Sequence, residues 1–279
     1  LMADTATHTA GQPDKPWQLL MFDHSLKEQR KLQALKALLP PLLDKRCLLV
    51  SSEGNSGALN WHLRTLGGDW EWGAVATENL EAMADFLGDP VLRIPEDNAP
   101  FPDGVFDCIL AIDVLDRLED DQAFLREMRR LLHGDGLLIV TAPNGDQALL
   151  ARRIKSALNR SPALFGQRRA GYTTAELALA LRKVQLAPGT SGGYSRFFTE
   201  MLDLLLSPGY GRLISRARTE PGAVETSPVS AEQIKTNGTS FRLYSLLFPV
   251  ARLLSRLDGL LPERSNNEVI VTARKGAAE

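Results

Sequence analysis

Small polar and acidic residues directly follow short apolar runs in the central part of this 279-residue chain. Ser51–Gly57 reads Ser-Ser-Glu-Gly-Asn-Ser-Gly after the run Cys47–Val50, and Asp113 follows the run Phe106–Ile112. Apolar runs of this length are typical of strands buried on both faces of a parallel sheet. The carboxyl ends of such strands share one edge, where a glycine-containing turn lets a ligand approach backbone N–H groups. We therefore expect a small-molecule site at this edge.

The segment Val105–Asn144 predicts the elements that position Asp113. After the first apolar run comes a helical pattern, and a second apolar run, Gly136–Thr141, predicts another strand. The apolar side chains of the helix recur with the spacing of one buried face, whereas charged side chains occupy the other face. We expect Gly134 and Gly136 to end this helix. The unit is therefore a strand, a covering helix and a neighbouring parallel strand.

Other short apolar runs predict further strands at Cys47–Val50, Trp70–Ala76, Val91–Ile94 and Asn267–Ala273. A helix is predicted to begin after the capping residue Ser25, with Glu28 three residues later, and to end at the prolines that follow Leu39. Strands that alternate with helices predict an α/β fold with a mostly parallel sheet covered on both faces.

Composition excludes several classes of protein. The formal net charge is −2 and the pI about 6.2, so no basic surface for nucleic acid is indicated. Cys47 and Cys108 lie in predicted buried strands and are expected to be small core side chains in a reducing compartment. The four histidines have no second ligand at metal-site spacing, so no metal is predicted. No basic region precedes an apolar run near the N-terminus, and we expect a cytoplasmic protein.

The central unit resembles the class I S-adenosylmethionine-dependent methyltransferases. Residues 100–107 read PFPDGVFD, residues 113–120 read DVLDRLED and residues 131–138 read LLHGDGLL. In the family these places read roughly PFPDGSFD, EVLEHLED and VLKPGGLL. The resemblance implies a Rossmann-like, doubly wound, mostly parallel seven-stranded sheet and S-adenosylmethionine as the cofactor. It also implies methyl transfer to an oxygen or nitrogen of a small-molecule or glycan-like acceptor.

The resemblance also implies cofactor-binding residues. The loop after the first strand holds the cofactor in this family, Glu78 stands near the position that binds the ribose, and Asp113 lies near the methionine part and the acceptor. Glu96 and Asp97 stand near the position that binds adenine. The implied cofactor set is Ser51, Glu53, Gly54, Asn55, Gly57, Glu78, Glu96, Asp97 and Asp113. Of the usual G-x-G-x-G only Gly54 and Gly57 remain.

Several of these residues also have a purely structural interpretation. Glu78 is equally suited to the solvated first turn of a helix. Asp116 or Asp120 is expected to cap the helix that follows the fourth strand. On the acceptor side we expect Asn144, Arg168 and Tyr172. The alternative interpretation is that they are residues of an ordinary exposed loop.

The last predicted hairpin is interrupted by a long helical insertion. Its helical blocks are Phe197–Leu206 and Phe241–Leu261, the second with Pro249 inside a wide apolar face. Three uses of that face remain open: docking on the α/β domain, a homo-oligomer contact, and a membrane surface with the arginines towards lipid headgroups. No charge-free run has transmembrane length. The insertion and the element Tyr-Ser-Arg-Phe-Phe-Thr-Glu at 194–200 are similar to those of bacterial family members.

The predicted organisation is a flexible N-terminus at 1–16, an α/β domain at 17–196, the insertion at 197–265, and the last strand and tail at 266–279. If the protein is an enzyme, we expect Asp113 to activate the acceptor. The rival hypothesis is a non-catalytic protein of the same fold that acts as a binding or scaffolding subunit. A dinucleotide-binding Rossmann enzyme is disfavoured, because the first loop does not supply G-x-G-x-x-G.

Overall fold

The structure is a computed structural model that describes residues 15–52, 56–75, 80–157, 168–204 and 238–276, with the backbone alone for 238–245. The predicted flexible N-terminus therefore lies largely outside the described residues. The same is true of Glu53, Gly54, Asn55 and Glu78, and of most of the loop within the insertion.

Seven strands form one sheet in the order β3-β2-β1-β4-β5-β7-β6. Their bounds are β1 Arg46–Ser51, β2 Asp69–Ala74, β3 Val91–Arg93, β4 Phe106–Ile112, β5 Leu132–Pro143, β6 Leu186–Gly192 and β7 Glu268–Lys275. The first five strands are parallel, whereas β7 runs antiparallel to both β5 and β6. The predicted doubly wound, mostly parallel seven-stranded sheet is confirmed.

Helices cover both faces of the sheet, and a separate apolar cluster lies on each face. We number them α1 Trp17–Asp23, α2 Leu26–Leu38, α3 Ala58–Arg64, α4 Leu80–Leu87, α5 Asp121–Leu131, α6 Leu150–Ala157, α7 Thr174–Lys183, α8 at 197–204 and α9 Gly238–Leu254. Two short 3₁₀ helices, Ser255–Leu260 and Glu263–Ser265, lie between α9 and β7.

Side-chain caps fix where several helices begin. The Ser25 hydroxyl accepts a hydrogen bond from the backbone N–H of Glu28 at the start of α2. Asp120 caps α5 by accepting from the N–H of Ala123, so the structure assigns this role to Asp120 rather than to Asp116. The start of α7 is a capping box between Thr173 and Glu176.

Gly134 and Gly136 do not end α5 as predicted. The helix ends at Leu131 and β5 begins at the next residue, so both glycines lie inside the strand. A Cβ on Gly136 would come within 2.7 Å of the Leu132 side chain and 3.0 Å of the Phe106 carbonyl oxygen. The pairing register shifts between Phe106 and Cys108 at the same point. Gly136 therefore permits close approach at a bulge, which is a different use of the same residue type.

The insertion lies between β6 and β7, as predicted from the interrupted hairpin. Its helix α9 contains Pro249 and packs on the α/β domain through Phe248 and Ala251, which are buried with Leu26 of α2. Arg30 of α2 donates a 2.7 Å hydrogen bond to the backbone oxygen of Ser255. Within the described residues, no helix is both long enough and apolar enough to cross a membrane.

Candidate functional site

The strand register brings the predicted site residues to one edge of the sheet. Ser51 at the end of β1 pairs with Ile112 at the end of β4, which in turn pairs with Thr141 of β5. Pro143, two residues further along β5, pairs with Glu268. Because β7 is antiparallel, its first residue lies at the edge where the parallel strands end. Glu268 therefore belongs to the same edge as Ser51 and Asp113.

A cavity of about 370 Å³ opens at this edge, and we call it the rim cavity. Its volume lies within the range of small-molecule pockets. The lining residues come from α1 and α2, from the β1–α3 turn, and from the edge of the sheet: Met21, Phe22, Ser25, Lys27, Glu28, Lys31, Ser51, Ser52, Ser56, Ala58, Leu59, Ile112, Asp113, Asp116, Arg117, Pro143 and Glu268. The helix predicted to precede the first strand thus covers the expected cofactor site.

Asp113 is held in a left-handed backbone conformation, with φ of 53°, directly after β4. Its carboxylate accepts a 2.7 Å hydrogen bond from the Thr141 hydroxyl and lies 2.8 Å from the ammonium of Lys31. Burial alone would raise the pKa of Asp113, but Lys31 and Thr141 outweigh it and hold that pKa below its usual value. Positive φ at a non-glycine residue is sparsely populated and is concentrated at functional sites. Asp113 is therefore an ionised, fixed carboxylate at the centre of the edge.

Two lysines of α2 reach down to the edge from one face of the helix. Lys31 is 5% exposed and pairs with Asp113 and, at 2.7 Å, with Glu28. Lys27, one turn earlier, forms an ion pair with Glu268 and lies 3.7 Å from Glu200 of α8. Residues at i and i+4 project from the same side of a helix, so α2 pairs with β4 and β7 at the same time.

Glu268 is 4% exposed and lines the rim cavity. Its Oε2 atom has no hydrogen-bond partner among the described residues. Burial, together with the carboxylates of Asp113 and Glu200, raises the pKa of Glu268 to about 7 in spite of the Lys27 ammonium. The side chain therefore changes charge near neutral pH.

Glu200 forms the outer part of the same charged cluster. It pairs with Lys155 of α6 and accepts a 2.5 Å hydrogen bond from the Ser195 hydroxyl. Burial would raise the pKa of Glu200, but the ammonium groups of Lys27 and Lys155 outweigh it and lower that pKa to about 2. Glu200 is therefore ionised at every physiological pH and joins the insertion to α2 and α6.

The turn after β1 contributes small polar side chains to the cavity. Ser51 is 1% exposed, and its hydroxyl has no hydrogen-bond partner among the described residues. Gly57 has φ of +86° and immediately precedes α3, where a Cβ would come within 3.0 Å of the Phe86 ring. Of the predicted cofactor loop, Ser51 lines the cavity, and Gly57 lies between Ser56 and Ala58, which also line it. Glu53, Gly54 and Asn55 lie outside the described residues.

A second cavity of about 390 Å³ lies further along the edge, beyond β2 and β3. Its walls include Val75, Ile94 and Leu118, and its border carries Glu96 and Asp97. The Glu96 carboxylate accepts hydrogen bonds from the backbone N–H groups of residues 119 and 120, at 3.1 and 2.9 Å. Glu96 therefore fixes the loop before α5, whereas Asp97 lines the second cavity beside Ile94 and Leu118. Glu78, predicted near the ribose of the cofactor, lies outside the described residues.

The predicted acceptor-side residues are not among the described residues that line the rim cavity. The Asn144 amide donates a 2.7 Å hydrogen bond to the backbone oxygen of Asn266. Arg168 is exposed and pairs with Glu119 at 2.6 Å. Tyr172 is buried, and its hydroxyl donates a 2.5 Å hydrogen bond to Asp121. In these contacts the three side chains hold neighbouring loops in place, and a role towards an acceptor stays a prediction.

Three charged residues of the cavity were not singled out from the sequence: Lys27, Lys31 and Glu268. A search for ligand residues at the carboxyl ends of strands passes over Glu268, because it is the first residue of its strand. The antiparallel direction of the last strand is the signal that would have drawn attention to it. The i, i+4 spacing of the two lysines is also present in the sequence. The leucines that recur along one face of α2 are the stronger feature of that pattern.

Comparison with known proteins gives the same architecture. Residues 75–140 match the model of a family described as a methyltransferase domain. Over 69 residues the chain is 33% identical to ajmaline N-methyltransferase of Rauvolfia serpentina, a match that covers 24% of this chain and 22% of that enzyme. The match thus spans about a fifth of the length of that curated relative.

Two solved structures extend the similarity to most of the chain. Geranyl diphosphate methyltransferase in complex with S-adenosylmethionine has a TM-score of 0.53 at 17% identity, with 95% of this chain and 93% of that chain covered. The [4+2]-cyclase SpnF has a TM-score of 0.56 at 16% identity, with 90% and 82% covered. The chain has the class I methyltransferase fold. This confirms the resemblance found in residues 100–138.

The methyltransferase fold does not by itself specify a reaction. At such low identity the solved structures establish architecture, and one of the two is named for a cyclisation. The family match over residues 75–140 supports S-adenosylmethionine as the cofactor.

The residues present at the edge fit that cofactor. The second cavity offers the Ile94 and Leu118 side chains to a flat ring and the Asp97 carboxylate to an amino group. The rim cavity offers the buried, unpartnered Ser51 hydroxyl and the ionised Asp113 carboxylate to a polar amino-acid group. Both cavities lie at the carboxyl edge of the sheet, the rim cavity at the ends of β1 and β4 and the second cavity at the ends of β2 and β3.

Proposed function

We propose that this protein transfers a methyl group from S-adenosylmethionine to an oxygen or nitrogen of a small-molecule or glycan-like acceptor. The observation that carries the proposal is the pair of cavities at the carboxyl edge of the sheet. Both combine apolar and charged side chains: Ile94 and Leu118 lie with Asp97 in the second cavity, and Leu59 and Ile112 lie with Asp113 in the rim cavity. We assign the second cavity to the adenine end of the cofactor and the rim cavity to its amino-acid end.

In this proposal Ile94, Leu118 and Asp97 hold the adenine ring, and Ser51 and Asp113 bind the methionine end. Lys31 keeps Asp113 ionised and fixed, because it stabilises the charged form of the carboxylate. Glu53, Gly54, Asn55 and Glu78 remain expected contacts of the cofactor, and Asn144, Arg168 and Tyr172 remain expected on the acceptor side.

The bound cofactor would supply an electrophilic methyl group on a good leaving group. What the protein must add is mainly proximity and orientation, which in well-aligned systems lower a barrier by about 7–11 kcal/mol. Helix α2 supports this role, since its position over the rim cavity shields the reacting groups from water.

Calorimetry with S-adenosylmethionine and S-adenosylhomocysteine tests the proposal. We expect both to bind and to raise the unfolding temperature, and we expect Asp97→Ala to weaken both by about tenfold through loss of one charge-assisted hydrogen bond. Asp103→Ala is the matched control, because Asp103 is an exposed acid that pairs with Arg130 and lines neither cavity. If neither ligand gives heat or a thermal shift at millimolar concentration, the proposal is refuted.

A second candidate function is a binding or scaffolding subunit of the same fold at a membrane surface. One observation favours it: the face of α9 and of the following 3₁₀ helix that does not pack on the domain is apolar. Its exposed side chains are Leu246, Leu247, Val250, Leu253, Leu254, Leu257 and Leu260. Arg252 and Arg256 are exposed beside them, where they would contact anionic headgroups.

Flotation with vesicles and size-exclusion chromatography distinguish the uses of this exposed face. Flotation with anionic vesicles that is lost in Leu253→Glu supports the membrane surface. A dimer in solution that becomes a monomer in the same variant supports a contact between two copies. Leu179→Glu is the control, because Leu179 on α7 is exposed to a similar extent but lies outside this apolar face. If the protein neither floats with vesicles nor forms a dimer, docking on its own domain is the remaining use of α9.

A further inference from the structure

The polar groups of the rim cavity are arranged in a fixed order along the edge. Ser51 belongs to β1, Asp113 follows β4, Pro143 belongs to β5 and Glu268 begins β7. Neighbouring strands lie about 4.8 Å apart, so Glu268 stands roughly 14 Å from β1 and about 10 Å from β4. The cofactor proposed above lies over β1 and β4. Glu268 is therefore on the far side of the cavity, where an acceptor would enter.

Oε2 of Glu268 is the atom that lacks a partner. The side chain is 4% exposed, and the atom is buried without a hydrogen bond from any described residue. Its carboxylate is anchored from above by the ion pair with Lys27. A buried acceptor atom left unpaired costs free energy, so it is typical of a site completed by a ligand. The donor that completes it would be an O–H or N–H group in the rim cavity.

We propose that Glu268 is the general base of the methyl transfer, and that it takes the proton of the acceptor's O–H or N–H group. The acceptor's oxygen or nitrogen forms a bond to the methyl carbon, and the electron pair of the broken carbon–sulfur bond remains on sulfur. The acceptor's proton passes to Oε2 of Glu268. This assignment rests on the proposed function and replaces Asp113 as the group that activates the acceptor.

Asp113 is less suited to that role because both its oxygens are already engaged. Thr141 donates to one oxygen and Lys31 pairs with the other. The pKa of Asp113 is lowered as a result, whereas burial raises that of Glu268 to about 7. A base works best when its pKa lies near the working pH, since it is then both ionised and able to hold a proton.

Charged or titratable side chains face Glu268 from several of the elements packed around it. Lys27 faces it from α2, Asp113 from the end of β4, Glu200 from α8, Arg152 from α6 and Tyr194 from the segment after β6. Asp203 of α8 shares the Lys27 ammonium. Lys27 and Glu200 keep opposite, constant charges near neutral pH, because the pKa of Lys27 is raised and that of Glu200 is lowered. Glu268 is therefore a carboxylate whose pKa lies near 7 and, unlike Asp203, whose pKa burial also raises, it lines the rim cavity.

Sinefungin provides a test that needs no identified acceptor. In this analogue of S-adenosylmethionine an aminated carbon replaces the methylated sulfonium, so its ammonium points to where the acceptor would be. An ionised Glu268 should pair with that ammonium and should not contact S-adenosylhomocysteine. We expect Glu268→Gln to lower the affinity for sinefungin about tenfold, as loss of one charge-assisted hydrogen bond predicts. The affinity for S-adenosylhomocysteine should change less than threefold. Calorimetry measures both.

The pH dependence of ligand binding to the wild-type protein is an independent test. As pH rises from 6 to 8, Glu268 becomes ionised, and the preference for sinefungin over S-adenosylhomocysteine should increase roughly fivefold. Glu263→Gln, an exposed acid five residues earlier, should retain both the preference and its pH dependence. Glu268→Asp keeps the carboxylate and should recover part of the preference.

The outcomes separate this inference from the function on which it rests. If wild-type protein binds S-adenosylhomocysteine but prefers sinefungin equally at every pH, Glu268 is not the base, whether or not its variants fold. Equal loss of both ligands in a folded Glu268→Gln variant would place the residue in the cofactor site and overturn the assignment. No binding of S-adenosylhomocysteine to wild-type protein would refute the methyltransferase proposal itself.

Discussion

At the scale of single residues, the site is a set of carboxylates whose different surroundings give them different roles. Asp113 and Glu200 are held ionised by lysines, whereas Glu268 is buried among other acids and titrates near neutral pH. Carboxylates thus acquire separate roles through burial and partners. This division is testable because each acid pairs with a different lysine or set of lysines.

Replacing Asp113 by Asn tests its pair with Lys31. Asn tolerates the left-handed conformation at this position, so the change removes charge without altering the backbone. Lys31 would remain buried with Glu28 as its remaining carboxylate partner, and we expect a loss of about 2 kcal/mol of unfolding free energy. The double variant Lys31→Met with Asp113→Asn should lose less than the sum of the two single changes. Urea denaturation measures all four proteins, and additive losses would show that the pair is not coupled.

The lowered pKa of Glu200 predicts a dependence of stability on pH. The folded pKa is about 2, below the value of 4.5 for an unperturbed glutamate. Its contribution is therefore present above about pH 4.5 and is lost as pH falls towards 2. At pH 6 the unfolding free energy of the wild-type protein should exceed that of Glu200→Gln by on the order of 3 kcal/mol. The difference should shrink steadily below pH 4. Unfolding at pH 6, 5, 4 and 3 checks the trend, and a constant difference would contradict it.

At the scale of elements, the strands and helices that depend on local sequence pattern could be predicted. Residue positions that depend on the direction of a strand in the sheet could not. Buried strands such as β4 and the capped helix α2 follow from runs and spacing, so they could be read directly. The place of Glu268 follows from β7 running antiparallel, which only the assembled sheet defines. The partners of Lys27 and Lys31 likewise lie on strands more than 80 residues away, where no local pattern connects them.

Gly57 links the turn after β1 to α3, and its replacement by Ala tests that turn. The residue has φ of +86°, and a Cβ would come within 3.0 Å of Phe86. Gly67 is a matched control, because it has φ of +91° with nothing within 4 Å. Both Ala variants should lose about 1 kcal/mol through backbone strain. Gly57→Ala should lose more, and it alone should weaken S-adenosylhomocysteine in calorimetry; equal effects of the two changes would remove the turn from the cofactor site.

At the scale of the whole molecule, polar contacts hold the two parts of the insertion together. Asp258, which is 2% exposed, accepts hydrogen bonds from the N–H groups of Phe198 and Thr199 at 2.8 and 3.2 Å, at the start of α8. Arg196 donates to the backbone oxygens of Asp258 and Leu261. The element at 194–200 that marked the sequence thus connects both parts of the insertion to each other. Because α8 also carries Glu200, the insertion takes part in the charged cluster of the site.

Replacing Asp258 by Ala should separate the insertion from the site while the sheet remains folded. The start of α8 would lose its side-chain acceptor and Arg196 a neighbouring charge, at a cost of about 1–3 kcal/mol. We expect amide hydrogen exchange to accelerate in α8 and α9 and to stay slow in β1, β4 and β5, which form the centre of the sheet. Sinefungin affinity should fall with it, since Glu200 helps to hold Lys27 against Glu268. Glu263→Ala, an exposed change in the same segment, should alter neither measurement. Faster exchange throughout the sheet would show instead that the insertion and the domain unfold as one unit.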